Sequence, residues 1–460
     1  MNILLFGTGD YYQRYKAWFS SASVLALLDN DASKWGTRID GHIVLSPQEV
    51  IKLSYDRIFI LSAYYDEMEE QLLSLGVPME KISTQFDLRI GMHGIIERPI
   101  IRYNSKEKGK KVYFFFYDLH RNGASVVFSY AVMLMQKYYP VCVVALEDGP
   151  LREYITDMGI EVIIDPNVQL ETLTQSPYEK TALLFFCNTF NFFNFLQQRD
   201  TNIPAVWWLH DPEFYYHSIG KASFDLIPKK NLYLYAVSPI AADAFKKYCD
   251  GILVEKLPYG LPDERHCAGE NHHREGRPVF FAIVGHLQYH KAQDVYLKAI
   301  KSLSENAKNN SRFLIIGNDN TLFAKSIKEM ADEMENIIFT GEMSLQQLYN
   351  LYEKTIDVLV CPSRTDSLPT VVAEAMMHNV PCIVSDKTGT AAHIHNGVDG
   401  WVVPSEDVKA LSLKMEEIIS HPEQIRIVGE KARKVYERDF SIGSFEKRLR
   451  QVLSKCLPNV

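Results

Sequence analysis

Between Asp357 and Met376 an apolar run, Asp357-Val358-Leu359-Val360-Cys361, stops at Pro362-Ser363, crosses a short polar loop and enters a helix. A buried strand that gives way to a helix within so few residues fits a parallel α/β sheet. In such sheets ligands bind where strands end and helices begin. The first helical turn leaves backbone N–H groups unpaired, and these suit phosphate and polar sugar oxygens. Asp366 lies in the loop and Glu374 about a turn into the helix, with seven residues between them, so both can face one ligand. An anion site at one end with hydroxyl-binding carboxylates on the flanks suits a nucleotide-sugar. An ordinary βα unit carrying two surface acids satisfies the same spacing.

A chain of 460 residues predicts two or three domains. With 47% apolar and 23% charged residues it has the composition of a soluble globular protein. The net charge of −8 argues against a nucleic-acid surface. The seven cysteines include no C-x-x-C pair and most lie in apolar runs, which predicts reduced, buried thiols and a cytoplasmic location. No apolar run approaches the roughly 20 residues that span a membrane. Met1-Asn2-Ile3-Leu4-Leu5-Phe6 leads straight into a strand and lacks the basic leader of a secretory signal.

Residues 1–97 read as a small Rossmann-like module. Strands are expected at Ile3–Phe6, Val24–Leu28 and Ile58–Leu61, with Gly7-Thr8-Gly9-Asp10 after the first and Asp29 after the second. This is half of a nucleotide-binding βαβ pattern. Tyr12 stands where the third glycine would be and is expected to crowd the helix start. Nucleotide binding and a structural or regulatory role both remain open. Leu28-Asp29-Asn30-Asp31 with Lys34, Gly36, Ile39 and Gly41 resembles small modules at the N-termini of some sugar transferases and methyltransferases. Asp29-Asn30-Asp31 also mimics a D-x-D metal clamp, but an acid is expected at a second strand's end, so no metal is assigned.

A linker is placed at 98–110, where Asn104 to Lys111 reads as solvated; a membrane-surface role for its lysines is the other reading. The second domain, 111–277, alternates expected strands at Val112–Tyr117, Val141–Leu146, Val162–Ile164, Leu183–Phe186, Val206–Leu209 and Leu232–Val237 with helical stretches. Polar residues 268–277 read as a hinge. The third domain, 278–440, repeats the alternation at Val279–Gly285, Phe313–Ile316, Ile337–Phe339, Val358–Val360 and Cys382–Val384. A C-terminal segment, 441–460, carries a helix at about Ser444–Leu453 that can pack back across the hinge.

Further ordered motifs follow that alternation. Val284-Gly285-His286 with Lys291, Ile316-Gly317, Thr340-Gly341, Pro362-Ser363 with Asp366 and Glu374, Gly389, and Asn396-Gly397-Val398-Asp399-Gly400 appear in series. Residues 279–405 thereby resemble the donor domain of the family-4 retaining glycosyltransferases, which have the GT-B fold of two facing Rossmann-like domains. Upstream, Asn122-Gly123-Ala124 resembles the family's glycine loop at the sugar diphosphate, and Trp207-Trp208-Leu209-His210-Asp211 its strand-end histidine. The resemblance spans about 111–455 and implies an α/β fold of GT-B type with an added N-terminal Rossmann-like module.

It also implies function. The expected activity is metal-independent, retaining transfer from a nucleotide-sugar donor to a glycan, lipid-linked or protein acceptor, with no separate cofactor and no nucleic-acid partner. His210, Lys291 and Asp366 are the implied catalytic residues. Asn122, Gly123, Ala124, Gly285, His286, Gly341, Ser367, Leu368, Pro369, Thr370 and Glu374 are the implied donor contacts, Glu374 holding the ribose hydroxyls. Peripheral association with the inner membrane face and homo- or hetero-oligomers are compatible with the family. The chain departs from the pattern at Asp366, usually Glu; at His286, often Arg; and at His393, usually an acid. These departures keep open a non-catalytic, glycosyltransferase-like partner subunit. His210 alone also reads as a buried structural histidine. Phe190, Phe192, Phe193 and Phe195 read as core or as an acceptor groove, with core favoured. The cluster His266, Cys267, His272 and His273 fits no standard zinc spacing.

Overall fold

The computed structural model describes residues 2–19, 22–62, 64–84, 100–105, 109–166, 168, 178–217, 224–249, 251–265, 276–318, 321–332 and 334–457. The histidine–cysteine cluster at 266–273 and most of the expected hinge lie outside them. The chain divides into two compact units, Met1–Ile101 with Asp165–Ser176, and Arg102–Ile164 with Pro177–Val460.

The first unit is built on six strands in the order Arg38–Ile39, His42–Leu45, Ser23–Leu28, Asn2–Phe6, Arg57–Ile60, Ile82–Thr84. All pairs are parallel except the first, a two-residue hairpin arm. Gly7 ends the Asn2–Phe6 strand at φ +107, and a Cβ there would sit 2.6 Å from the Leu61 carbonyl oxygen, so only glycine fits. Tyr12 does not crowd the helix start. Its ring joins Ile3, Leu5, Leu27 and Phe59 in the core, and its hydroxyl donates to Asp40 Oδ2 at 3.1 Å.

The second unit carries two sheets. The larger runs Val254–Lys256, Leu232–Ala236, Ala205–Leu209, Ala182–Cys187, Lys111–Asp118, Val141–Glu147, Glu161–Ile164, Ile101–Tyr103. The smaller runs Ile337–Gly341, Ser311–Ile316, Val279–Val284, Val358–Cys361, Cys382–Ser385, Trp401–Val403, all parallel. Their strands read as continuous apolar runs because a parallel sheet is covered on both faces. In Lys111–Asp118 successive phenylalanines serve opposite faces. Phe114 and Phe116 pack on Phe128, at 5.1 and 4.6 Å between ring centres, while Phe115 packs on Phe195 at 4.6 Å. Phe190, Phe192, Phe193 and Phe195 are all buried, on the core side of the two readings.

The stretch expected to be a solvated linker is partly built into this sheet. Ile101–Tyr103 forms its edge strand, Asn104 Nδ2 donates to the Thr156 carbonyl at 2.8 Å, and the buried Lys111 ammonium pairs with Glu161. Residues 106–108 lie outside the described ones. The C-terminal helix Ile442–Cys456 lies against the larger sheet. Phe445 stacks on Trp208 at 5.3 Å, Glu446 accepts from Lys137 and Tyr138 at 3.0 and 2.7 Å, and Lys455 pairs with Glu255. This helix follows Glu423–Val435 of the smaller-sheet half, so it straps the two halves together. Among the described residues no helix is long and apolar enough to cross a membrane.

Candidate active site

The carboxyl ends of the two sheets of the second unit line one cavity of about 340 Å³. From the smaller sheet, strand Val279–Val284 ends at Gly285, with φ +144, and turns through Tyr289–Lys291 into helix Gln293–Lys301. Gly317 crosses so close behind that a Cβ on it would lie 2.0 Å from the Gly285 carbonyl oxygen. Lys291, an implied catalytic residue, lies in this turn. Its Nζ lies 2.6 Å from Asp366 Oδ2. Burial works against the ammonium's charge, but the Asp366 carboxylate outweighs it and raises the pKa. His290, also on the wall, is lowered to about 4 by burial and by Lys291, so it is neutral at pH 7.

Arg364, which the sequence reading passed over, fixes this pair. Its guanidinium binds Asp294 through two contacts of 2.9 Å, binds Glu406 at 2.8 Å and lies 3.9 Å over the Tyr289 ring. The Arg364 N–H donates to the His290 carbonyl at 2.8 Å. The loop that bears Asp366 is thereby tied to the turn that bears Lys291. On its other side the Asp366 N–H donates to Lys387 and its carbonyl accepts from Gly389 at 2.9 Å. A Cβ on Gly389 would stand 1.8 Å from the Ser367 carbonyl oxygen and 2.5 Å from Ser238 Cβ, so the late glycine is required by this close approach. Leu368 and Pro369 lead into helix Thr370–Met377, and the buried Ser367 Oγ has no hydrogen-bond partner among the described residues.

From the larger sheet, Asn122 caps helix Gly123–Met135 by accepting from the Ser125 N–H at 2.8 Å, and donates to Asp118 Oδ1 at 3.2 Å. Gly123 and Ala124 then line the cavity. A Cβ on Gly123 would lie 3.6 Å from Thr370 Cγ2, so two helix starts, both favourable to anions, face each other at close range. His210 follows strand Ala205–Leu209. Burial lowers its pKa to about 3, which keeps it neutral, and its Nε2 has no partner among the described residues. Its ring stands edge-on to Trp208 at 4.4 Å, and Trp208 Nε1 donates to the Leu257 carbonyl at 2.7 Å. Tyr259 closes the same wall, its hydroxyl donating to the Pro369 carbonyl at 3.1 Å.

Gly285, His286, Lys291, Asp366 and the Ser367–Thr370 turn thus meet Gly123, Ala124 and His210. Asn122, Gly341 and Glu374 do not line this cavity. Asn122 is used inside its own loop, and Gly341 ends the edge strand at φ +72. Glu374 is buried in its helix, which raises its pKa to about 7 despite a hydrogen bond from Thr370. His393 pairs with Asp439 at 2.9 Å and packs on Phe440. Pro212, Tyr215 and Gln288 line the cavity without having stood out in the sequence. Pro212 and Gln288 sit in loops, and Tyr215 in the five-residue helix Glu213–His217, which is too short to carry a periodic signal.

The strand-end turn of the N-terminal unit is arranged differently. Asp29 accepts from the Thr8 N–H at 3.1 Å, from the Thr8 hydroxyl, from the Asp31 N–H at 2.8 Å and from Lys34 Nζ at 3.2 Å. Asp31 accepts from the Ser33 N–H and hydroxyl at 3.0 and 2.6 Å.

Residues 269–435 match the family model described as "Glycosyl transferases group 1", and residues 1–83 match "C2185-like, N-terminal". The O-antigen chain mannosyltransferase C of Escherichia coli is 26% identical over 211 residues, 44% of this chain and 54% of that protein. The capsular polysaccharide biosynthesis glycosyltransferase CapM of Staphylococcus aureus is 29% identical over 137 residues, 29% of this chain and 34% of that one. The chain therefore spans about half or less of the length of these curated relatives. Anabaena Alr3699/HepE, solved in complex with UDP, superposes with a TM-score of 0.63 at 15% identity, over 75% of this chain and all of that one. At that identity the likeness shows the fold, which is GT-B, preceded by a small Rossmann-like sheet.

Proposed function

We propose that this cavity is the active site of a glycosyltransferase that moves a sugar from a nucleotide-sugar to a glycan, lipid-linked or protein acceptor. One observation carries the reading. Two helix starts, the Lys291–Asp366 pair and two buried polar atoms without partners among the described residues, His210 Nε2 and Ser367 Oγ, converge on a single space. Buried polar groups are normally hydrogen-bonded, so orphaned ones on a cavity wall favour a polar ligand there. The group 1 glycosyl transferase match across 269–435 supports the same chemistry.

In this reading the diphosphate lies between the Gly123 and Thr370 helix starts, within reach of Lys291. Neutral His210 and Asp366 orient the sugar by hydrogen bonds. The acceptor hydroxyl approaches the anomeric carbon on the face from which the diphosphate departs. The carbon–phosphate oxygen bond breaks, the new glycosidic bond forms, and the hydroxyl proton passes to the departing diphosphate. No side-chain nucleophile is required, and the product keeps the donor's anomeric configuration. Charge stabilisation by Lys291 and the backbone N–H groups lowers the barrier. These groups supply the counter-charge of a metal, so activity should survive a chelator. We place this chemistry in the cytoplasm, at the inner face of the membrane when the acceptor is lipid-linked. Assaying hydrolysis of a panel of UDP- and GDP-sugars tests the reading, and product NMR tests retention. A second reading, a non-catalytic partner subunit, draws on the Asp366 carboxylate that already neutralises Lys291. Absence of turnover on every donor, with and without acceptor, would favour it.

A further inference from the structure

We propose that Tyr215 is the floor of the acceptor subsite and that the acceptor lays the C–H face of a pyranose ring on it. This rests on the transferase reading above and adds to it the class of group the acceptor end receives. Strand Ala205–Leu209 ends in two residues with different tasks. His210 lines the cavity. Asp211 instead accepts the Phe190 N–H at 2.9 Å. That bond pins the turn Phe190–Phe192, which Thr189 caps by accepting from the Asn191 N–H at 3.1 Å. The Phe190 side chain, only 4% exposed, stacks on Tyr215 with ring centres 5.2 Å apart and planes 24° from parallel. Tyr216 meets the same phenylalanine edge-on at 6.4 Å.

Tyr215 is therefore an aromatic plane backed by a buried ring and placed on the cavity wall. The two walls of the cavity differ in chemistry. The smaller-sheet wall brings His286, Lys291 and Asp366, which suit a diphosphate and sugar hydroxyls. The larger-sheet wall brings Tyr215, Pro212, Val127 and Val237 beside Gly123, Ala124 and His210. A rigid tyrosine offers a large amphipathic contact at low conformational cost. A sugar ring matches it, with an apolar C–H face and hydroxyls at its rim. Tyr259, the other tyrosine on this wall, is buried and donates its hydroxyl to Pro369, so it closes the cavity rather than carrying a ring.

The test separates transfer to a sugar from transfer to water in the full chain. Donor hydrolysis and glycosylation of methyl glycosides of glucose, galactose, mannose and N-acetylglucosamine are measured together for wild type, Tyr215→Ala and Tyr215→Phe, with a melting curve for each. The proposal expects Tyr215→Ala to lower the transfer-to-hydrolysis ratio roughly tenfold, the scale of a lost aromatic contact. Tyr215→Phe should keep the ratio. An unchanged ratio in Tyr215→Ala overturns the proposal, as does an equal fall of both rates in a folded variant, which would move Tyr215 to the donor. Should Tyr215→Ala not fold, a tenfold drop in the ratio for Tyr215→Leu takes its place, and an unchanged ratio there overturns the proposal equally. A wild-type chain that hydrolyses donor but glycosylates none of the four probes also overturns it. One that hydrolyses no donor overturns the transferase reading itself, and Tyr215 with it.

Discussion

Two strand-end turns in this chain begin from similar material and finish differently. In the N-terminal unit Gly7-Thr8 leaves the first strand, and Asp29 ends the next. There the carboxylate is filled from within, by Thr8, the Asp31 N–H and Lys34. At the junction of Cys361 and Thr370 the acid, Asp366, holds one cation, and on the same cavity Ser367 Oγ and His210 Nε2 are unsatisfied among the described residues. A Rossmann-like strand end is thus only a frame. Whether it binds depends on whether its polar atoms are consumed by their own loop.

The largest expected effect is at the open turn. Lys291→Ala should lower turnover by roughly 10²–10³-fold, the scale of one lost charge-stabilising donor. It also leaves the Asp366 carboxylate without its cation. Near-normal turnover in a folded variant would take Lys291 out of the site. Gly389→Ala comes next. Its added carbon would meet the Ser367 carbonyl oxygen at 1.8 Å, so we expect a stability loss of about 1–3 kcal/mol by denaturant titration, with turnover falling as the Asp366 loop shifts. The closed turn should respond in stability alone. Asp29→Ala removes the acceptor shared by Thr8, Asp31 and Lys34 and should cost about 1–3 kcal/mol without changing turnover per folded molecule. A changed donor KM would contradict the contrast between the turns. The smallest effect is expected for Gly9→Ala, where nothing lies within 4 Å of the added carbon; its stability should stay within about 0.5 kcal/mol of wild type.

A pH measurement sharpens the same contrast. Burial raises Glu374 from 4.5 to about 7 in the folded chain. A folded state that holds this proton more tightly is favoured below the unfolded pKa and loses that advantage as pH rises through about 7. The denaturation midpoint should therefore decline across that window, and Glu374→Gln should flatten the decline. An identical slope in the variant would mean that Glu374 is ionised in the fold.

The central strands were legible because a doubly covered parallel strand is a continuous apolar run. Val112–Tyr117 and Phe313–Ile316 were read within a residue or two of their observed ends. The edge strands Ile101–Tyr103, Val254–Lys256 and Trp401–Val403 were not. Three residues carry no periodicity, and such strands exist only through pairing. Ile101–Tyr103 shows the consequence, since a cut at residue 110 would remove an edge strand. Site residues beside glycine or proline breaks were legible as junctions. Their partners were not: Lys291 and Asp366 lie 75 positions apart in the chain, as do Tyr289 and Arg364. Glu374 shows what spacing leaves open: it places a carboxylate on a helix but does not say which face is buried.

The most direct test is a crystal structure of the full chain with the nucleotide-sugar it hydrolyses, or with UDP or GDP if none is turned over. The account predicts the diphosphate between the starts of helices Gly123–Met135 and Thr370–Met377, with Lys291 at hydrogen-bonding distance and the Thr8–Asp29–Lys34 contacts of the N-terminal unit intact. A nucleotide at Gly7–Gly9 with Asp29 released from Thr8, and the cavity beside Lys291 empty, would contradict it.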